Sequence, residues 1–372
     1  MELFDLQETI DRLYNLDTNP TGLIDNLDGI SGLGNIPIRV IPFSCEENPV
    51  PIFSRRIIGS REVTHEKIHN NITLFKLSFK HKVNGNEVIE NGRFFLFSYP
   101  NLENSYVVIT IENAAFFQKG LQPFIEHLYP KISLTFLSHK YFTQLLFDYA
   151  AKEGPEHITI VRASVKFRLS DHEEHRRKMS AVIWPSMSLD SAFNWVQTNN
   201  AWFQSLQLKI PLNYGNEYSV TFTRNGIIQT DRKFKDTYTY LIAPVCQLLQ
   251  RNCAFFGKRS REQTPNRQVR PIVIDFPFEL FLHKEENIQF IDMMKKMTTA
   301  AVSTLHGNPY IHLGLLDYFD GSTFDIWVLS PKRIIIAPQI KASIQAIRRI
   351  INHIFDTFAE GKILDYSEIT NG

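Results

Sequence analysis

Cysteine is scarce in this sequence. Three cysteines, Cys45, Cys246 and Cys253, occur among 372 residues, and they are odd in number and widely spaced. A disulfide framework needs an even set, and a cysteine zinc site needs closely paired cysteines, so the sequence supports neither. We expect three buried free thiols in a reducing compartment, which predicts a cytoplasmic location.

Long hydrophobic runs are also missing. No stretch of about 18 consecutive apolar residues occurs, so no membrane-spanning helix is predicted. The first residues, Met1 to Glu8, are acidic, whereas a secretory signal begins with positive charge followed by an apolar run. We therefore expect no membrane partner.

Neither sign of charge dominates, and glycine and proline are infrequent. The 40 Lys and Arg residues nearly balance 39 Asp and Glu residues, leaving a net charge of +1, beside 17 Gly and 18 Pro. Intrinsic disorder needs low hydrophobicity and high net charge, and collagen needs glycine at every third position, so both classes are excluded. Hydrophobic residues make up 43% of the chain and include 29 Phe and 13 Tyr, which predicts a folded protein with a large aromatic core.

Several signatures of catalysis are absent. The chain has no G-x-x-x-x-G-K-[ST] phosphate loop and no G-x-S-x-G nucleophile elbow. Gly29, Gly32 and Gly34 precede a predicted strand, whereas a dinucleotide-binding loop follows a strand and opens a helix. The sequence therefore predicts neither catalytic residues nor a cofactor, and it favours a protein that is not an enzyme.

Hairpins and helices are segregated along the chain. Hairpins are predicted around the turns Asn84-Gly85 and Asp320-Gly321, and amphipathic helices at 285–305 and 341–360. This segregation indicates an α+β fold with antiparallel or mixed sheets and helices packed on one face. The polar stretch that ends at residue 178 predicts a boundary between two domains, residues 1–178 and 179–372.

One segment matches a metalloprotease motif. His65, Glu66 and His69 satisfy H-E-x-x-H, which on a helix places both imidazoles on one face to hold zinc, with the carboxylate as general base. A helix at 60–70 would carry few large aliphatic residues to anchor it. The motif is therefore kept only as an alternative, a metal-dependent hydrolase.

A second alternative is a nuclease built on carboxylates. Asp317, Asp320 and Asp325 cluster around a predicted hairpin tip, and two or three carboxylates can hold Mg²⁺ for phosphoryl chemistry. Asp-Gly is also ordinary turn chemistry, so the sequence by itself predicts no metal site here.

Positive charge is concentrated in one segment, residues 251–270. It contains six cations against Glu262: Arg251, Lys258, Arg259, Arg261, Arg267 and Arg270. Clustered cations on a neutral background favour polyanions, because each phosphate contact releases counterions. Arg176, Arg177 and Lys178 are predicted to extend this patch.

The charge pattern leads to our prediction of function. We expect a non-catalytic nucleic-acid-binding subunit of an intracellular assembly, such as a microbial anti-phage defence system, with the basic segment contacting phosphates. A protein-assembly subunit that binds no nucleic acid is the third alternative, since abundant aromatic residues can form an exposed contact surface. A protein partner is expected in both cases.

Overall fold

The computed structural model describes the chain from residue 13 to residue 370, with gaps. The described residues are 13–14, 19–34, 36–55, 57–58, 61–83, 85–128, 131–154, 158–167, 186–199, 201–212 and 216–370. They fall into two compact units. Described residues up to 167 and from 186 to 251 form the N-terminal unit, and those from 252 onward form the C-terminal unit.

One antiparallel sheet organises the N-terminal unit. Among the described residues it has twelve strands: β1 (Ile38–Ser44), β2 (Ile57–Ile58), β3 (Arg61–His69), β4 (Ile72–Val83), β5 (Asn86–Ser98), β6 (Ser105–Thr110), β7 (Ser133–Leu134), β8 (Thr159–Phe167), β9 (Met187–Ser188), β10 (Ala201–Pro211), β11 (Glu217–Thr223) and β12 (Ile228–Thr230). Their order is β2-β3-β4-β5-β6-β1-β12-β11-β10-β8-β9, and β7 pairs with β1. The long β4–β5 hairpin turns at Gly85, whose φ of +86° is readily adopted only by glycine.

Helices cover both faces of part of this sheet. They are α1 (Pro20–Gly34), α2 (Pro49–Phe53), α3 (Gln122–His127), α4 (His139–Glu153), α5 (Leu189–Thr198), α6 (Phe234–Thr237) and α7 (Ala243–Phe256), of which α7 continues past residue 251 into the C-terminal unit. Alternate residues of one strand enter different cores: Phe95 packs in the cluster that includes Leu27 and Phe142, and Phe94 in the cluster with Phe124. Successive side chains of a strand point to opposite faces, so such a strand needs apolar residues at consecutive positions.

Two helices of the N-terminal unit begin with a π-helical segment. Phe116–Leu121 precedes α3, and Tyr238–Ile242 precedes α7. Each α-helix then carries a proline, Pro123 or Pro244, in its first turn. Proline lacks an N–H group and is tolerated there, so these prolines start a helix instead of breaking one.

The C-terminal unit has its own antiparallel sheet. Its six strands, counted among the described residues, are β13 (Ile272–Asp275), β14 (Ala300–His306), β15 (Ile311–Asp317), β16 (Thr323–Ser330), β17 (Arg333–Pro338) and β18 (Lys362–Asp365), in the order β14-β15-β16-β17-β13-β18. The helices are α8 (Lys284–Lys295), α9 (Ile344–Thr357) and α10 (Tyr366–Thr370). Asp317 of β15 is fully buried and pairs with Arg349 of α9, so this face of the sheet carries the helix.

The α+β class and the antiparallel sheets confirm the predicted fold class. The division into units differs from the predicted boundary at residue 178, because β8 and β10, on either side of that residue, pair in one sheet and the division falls at residue 251. The predicted helix at 285–305 is wrong in its second half, where α8 ends at Lys295 and β14 follows. No helix among the described residues is long and apolar enough to cross a membrane.

Candidate functional site

The basic segment contains one arginine that is turned inward. The Arg259 side chain is 2% exposed. Its Nε donates to the carbonyl oxygen of Phe255 at 2.8 Å, and its Nη1 to those of Arg270 and Pro271 at 3.3 and 3.4 Å. Its Nη2 donates to Oδ2 of Asp365 at 2.9 Å. The guanidinium therefore joins the two ends of the loop at residues 258–270, which we call the basic loop, to strand β18.

The carboxylate of Asp365 balances this buried charge. Burial lowers the pKa of Arg259, and the charge of Asp365 opposes that effect. Partial burial alone would raise the pKa of Asp365, but hydrogen bonds from Ser367 and the charge of Arg259 outweigh it, so the pKa of Asp365 is lowered. Nη2 of Arg270 lies 3.6 Å from the same carboxylate. Both ions are therefore kept charged where they meet, as a buried ion pair requires.

The backbone of the basic loop is also fixed. The amide of Arg261 donates to the carbonyl of Gln339 at 3.1 Å, and that of Glu262 to the carbonyl of Ile340 at 3.4 Å. Gln339 and Ile340 are the two residues that directly follow β17. The middle of the loop is thus held by the segment after β17, in addition to the anchoring of its ends.

Three residues of the basic loop have left-handed backbone conformations. The φ angles are +53° at Lys258, +54° at Asn266 and +53° at Arg267. Such conformations are uncommon for residues other than glycine, and they concentrate at functional sites when the surrounding structure enforces them. Around Asn266 and Arg267 the backbone is held by two hydrogen bonds, from the Arg267 amide to the carbonyl of Thr264 at 3.2 Å and from the Thr264 hydroxyl to the carbonyl of Gln268 at 2.8 Å.

Three of the remaining cations of the loop are exposed, and the fourth, Arg261, is half-buried. Lys258 and Arg267 are exposed and make no side-chain hydrogen bond or ion pair within the described residues. The Arg270 side chain is 50% exposed. Arg261 is half-buried, and its Nε is buried without a hydrogen-bond partner in that same part of the chain. Five cations against Glu262 and Asp365 leave the loop and its counter-ion with a net charge of +3.

These positions correct the predicted phosphate-contact set. Arg259 is removed from it, because every described donor contact of its guanidinium is internal. Lys258, Arg261, Arg267 and Arg270 remain together in one loop. Arg176, Arg177 and Lys178 lie outside the described residues.

Two residues outside the predicted phosphate-contact set are also placed by the structure, one cation of the basic segment and one carboxylate. Arg251 belongs to the N-terminal unit, where its Nη2 donates to the hydroxyl of Tyr141 at 3.4 Å. Asp365 was not predicted from the sequence. It lies 106 residues beyond Arg259, and no local pattern marks it as a partner.

The H-E-x-x-H segment lies on a strand, so the zinc-hydrolase interpretation is wrong. His65, Glu66 and His69 belong to β3, which pairs with β4. On a strand, His65 and Glu66 point to opposite faces, and His65 and His69 are separated by about 13 Å at about 3.3 Å per residue. The ring of His65 stacks on Phe75, with ring centroids 5.4 Å apart.

The three aspartates do not form a shared metal site, which corrects the nuclease alternative: Asp317 and Asp320 meet at Arg349, whose Nη2 lies 2.8 Å and 3.8 Å from them, and Asp325 lies apart. Asp317 is bound at both oxygens by Arg349, through bonds of 2.8 Å from Nε and from Nη2. Asp320 accepts hydrogen bonds from Ser343 and from the amide of Ser322. Asp325 pairs in register with Gly314, three residues before Asp317 on β15, so it projects from the opposite face of the sheet.

Within the described residues, no group of three or more His, Cys, Asp or Glu side chains is arranged to hold a metal ion. The three cysteines are buried free thiols, and burial raises the pKa of Cys246 above the ordinary thiol range.

Comparison with known proteins adds no family: no family model and no curated protein matches the sequence.

Proposed function

We propose that the protein is a non-catalytic nucleic-acid-binding subunit of a cytoplasmic assembly, and that Lys258, Arg261, Arg267 and Arg270 contact phosphates. The observation that carries this proposal is the inward-facing Arg259, which anchors the basic loop while Lys258, Arg267 and Arg270 stay exposed. A loop ordered before binding loses less conformational entropy when it meets a polyanion. Phosphate contacts of this kind position nucleic acid without reading its sequence.

The test is the effect of salt on binding. Four phosphate contacts predict a slope of log K against log salt of about −3.6 for duplex DNA. That slope corresponds to about 150-fold weaker binding at about 200 mM than at about 50 mM salt. Fluorescence anisotropy with labelled duplex DNA and single-stranded RNA measures it for both nucleic acids.

A charge-reversal pair with a matched control assigns the binding to the loop. K258E/R267E removes two contacts and should reduce the slope for duplex DNA to about −1.8, or about 12-fold weakening over the same range. K284E/K295E makes the same change in net charge at two exposed lysines of α8 and should leave the slope unchanged. Equal effects of the two pairs would contradict the proposal, because binding would then follow net charge alone.

A second candidate, a protein-assembly subunit, is favoured by a separate observation. Of the 14 large hydrophobic side chains that are exposed among the described residues, 12 lie between Val269 and Tyr366 in the C-terminal unit. Leu316 is one of them, and it projects from the sheet face opposite to Asp317 and α9. A concentration of exposed apolar side chains is typical of a protein contact surface.

The two candidates give different results in one experiment. L316D should abolish co-purification of a stoichiometric protein partner and leave the salt slope unchanged if the apolar face binds protein and the loop binds nucleic acid. Affinity purification of the tagged wild-type and variant chains from native lysate, with and without nuclease, measures both properties. A partner whose recovery depends on intact nucleic acid would contradict the second candidate.

A further inference from the structure

The N-terminal unit contains a polar cleft. Its floor is one face of strands β3, β4 and β5, where two rows of side chains lie in register. The first row is Thr64, Lys76 and Arg93, and the second is Glu62, Ser78 and Asn91. The cavity above them has a volume of about 520 Å³, inside the range of roughly 300–1,000 Å³ of small-molecule sites.

Tyr14, Arg93 and Glu112 lie together in the lining of the cleft. The ring of Tyr14 stacks on Phe95 with centroids 5.3 Å apart, and the guanidinium carbon of Arg93 lies 4.6 Å from the centre of the Tyr14 ring. Oε1 of Glu112 accepts a hydrogen bond from the amide of Arg93 at 3.0 Å, and the Tyr14 hydroxyl donates to it at 3.4 Å. Arg93 and Glu112 are therefore held in position at this end.

Two cations face each other on the floor. Lys76 and Arg93 are direct cross-strand partners, whose Cβ atoms lie about 4.5–5.5 Å apart in an antiparallel pair. Like charges on directly opposite residues of two strands are destabilising. Arg93 is engaged by the Tyr14 ring, but the Lys76 ammonium and the Glu62 carboxylate have no hydrogen bond or ion pair within the described residues. An anion placed between Lys76 and Arg93 would remove the repulsion.

We propose that this cleft binds a small phosphomonoester that carries hydroxyl groups, of the size of a sugar phosphate. The phosphate lies between Lys76 and Arg93, and Thr64, Ser78 and Asn91 supply neutral donors beside it. The carboxylates of Glu62 and Glu112 stand at the two ends of the cleft and accept hydrogen bonds from the ligand's hydroxyl groups. A larger polyanion is disfavoured, because these same carboxylates would repel its further phosphates.

Isothermal titration calorimetry with ribose 5-phosphate tests the proposal, with ribose and inorganic phosphate as comparison ligands. Saturable binding of the ester, tighter than that of either comparison ligand, is expected. K76Q should weaken binding of the ester by about tenfold or more, as expected for loss of a charge-assisted hydrogen bond. K80Q changes a lysine on the same face of β4, four residues beyond Lys76 and outside the cleft, and should bind as the wild type does.

Several results would overturn the assignment. These are no saturable binding of the ester, equal affinity for inorganic phosphate, or equal losses in K76Q and K80Q. K258E/R267E should bind the ester normally, and a loss there would place the binding at the basic loop. Urea denaturation controls for folding: K76Q should be at least as stable as the wild type without ligand, because it removes a like-charge pair. If K76Q is destabilised, T64V becomes the test variant, and unchanged binding of the ester by T64V then overturns the proposal.

Discussion

Replacing Arg259 by methionine should destabilise the C-terminal unit although it removes no exposed charge. The substitution keeps most of the aliphatic side chain and deletes the guanidinium. Four hydrogen bonds are lost, three to backbone carbonyls and one to Asp365. The loop ends that these bonds join then lose their common anchor.

The size of the effect follows from what remains around Asp365. Removing one partner of a buried ion pair costs about 3–5 kcal/mol, because the other charge is left without compensation. The Asp365 side chain is 19% exposed, and it retains Arg270 at 3.6 Å and hydrogen bonds from Ser367. We therefore expect R259M to lower the free energy of unfolding by about 3 kcal/mol, the lower end of that range.

Urea denaturation monitored by circular dichroism measures this value, with R267M as the matched control. Arg267 is an exposed arginine of the same loop, so R267M should change the free energy of unfolding by no more than about 0.5 kcal/mol. The R259M/D365N double variant should cost less than the sum of its single variants by about 1 kcal/mol or more, because the two residues interact directly. A loss below about 1 kcal/mol in R259M would refute the buried anchor.

Two further predictions concern the N-terminal unit. G92A should destabilise the protein by about 1–3 kcal/mol, because the added Cβ would lie 2.4 Å from a buried phenylalanine ring. G29A, in a helix with no heavy atom within 4 Å of the added Cβ, should instead stabilise it by about 0.5–1 kcal/mol; equal effects in urea denaturation would contradict the packing. Burial raises the pKa of Glu112, so stability should fall as pH rises from the ordinary glutamate pKa of about 4.3 through the raised value. E112Q should lack this pH dependence. Parallel curves of unfolding free energy against pH for the wild type and E112Q would contradict the raised pKa of Glu112.

Features encoded by neighbouring residues could be predicted from the sequence. Ser138 precedes α4 and its hydroxyl accepts the amide of Tyr141, as expected for a helix N-cap. Gly321 has a φ of +72° in the turn between β15 and β16, where Asp-Gly predicted a hairpin. In each case the conformation is determined within a few residues.

Features decided by distant residues could not be predicted. The H-E-x-x-H spacing suits a helix, but pairing with β4 extends the segment as a strand. The predicted helix at 285–305 is wrong in its second half because that part pairs with β15 as strand β14. The 3.6-residue hydrophobic spacing carries no information about this pairing. Arg259 carries the same charge as the exposed Arg267, and only the distant Asp365 distinguishes the buried residue from the accessible one.

The cleft on β3, β4 and β5 was missed for a similar reason. Its residues come from three strands and look like ordinary solvated positions when each strand is considered alone. Only the register places Lys76 opposite Arg93. The turn at Gly85 predicts the hairpin, and extending its residue pairing along β4 and β5 would have placed Lys76 opposite Arg93.

The most direct test of a phosphate-binding loop is the salt dependence of duplex DNA binding by the wild type and R259M, measured side by side. Arg259 contributes no phosphate contact in our proposal. The wild type should therefore show a slope of about −3.6, and R259M, studied where it remains folded, should bind more weakly at every salt concentration with its slope preserved. A wild-type slope near zero, or a slope in R259M reduced by about one phosphate contact, would contradict the proposed division between an internal anchor and external contacts.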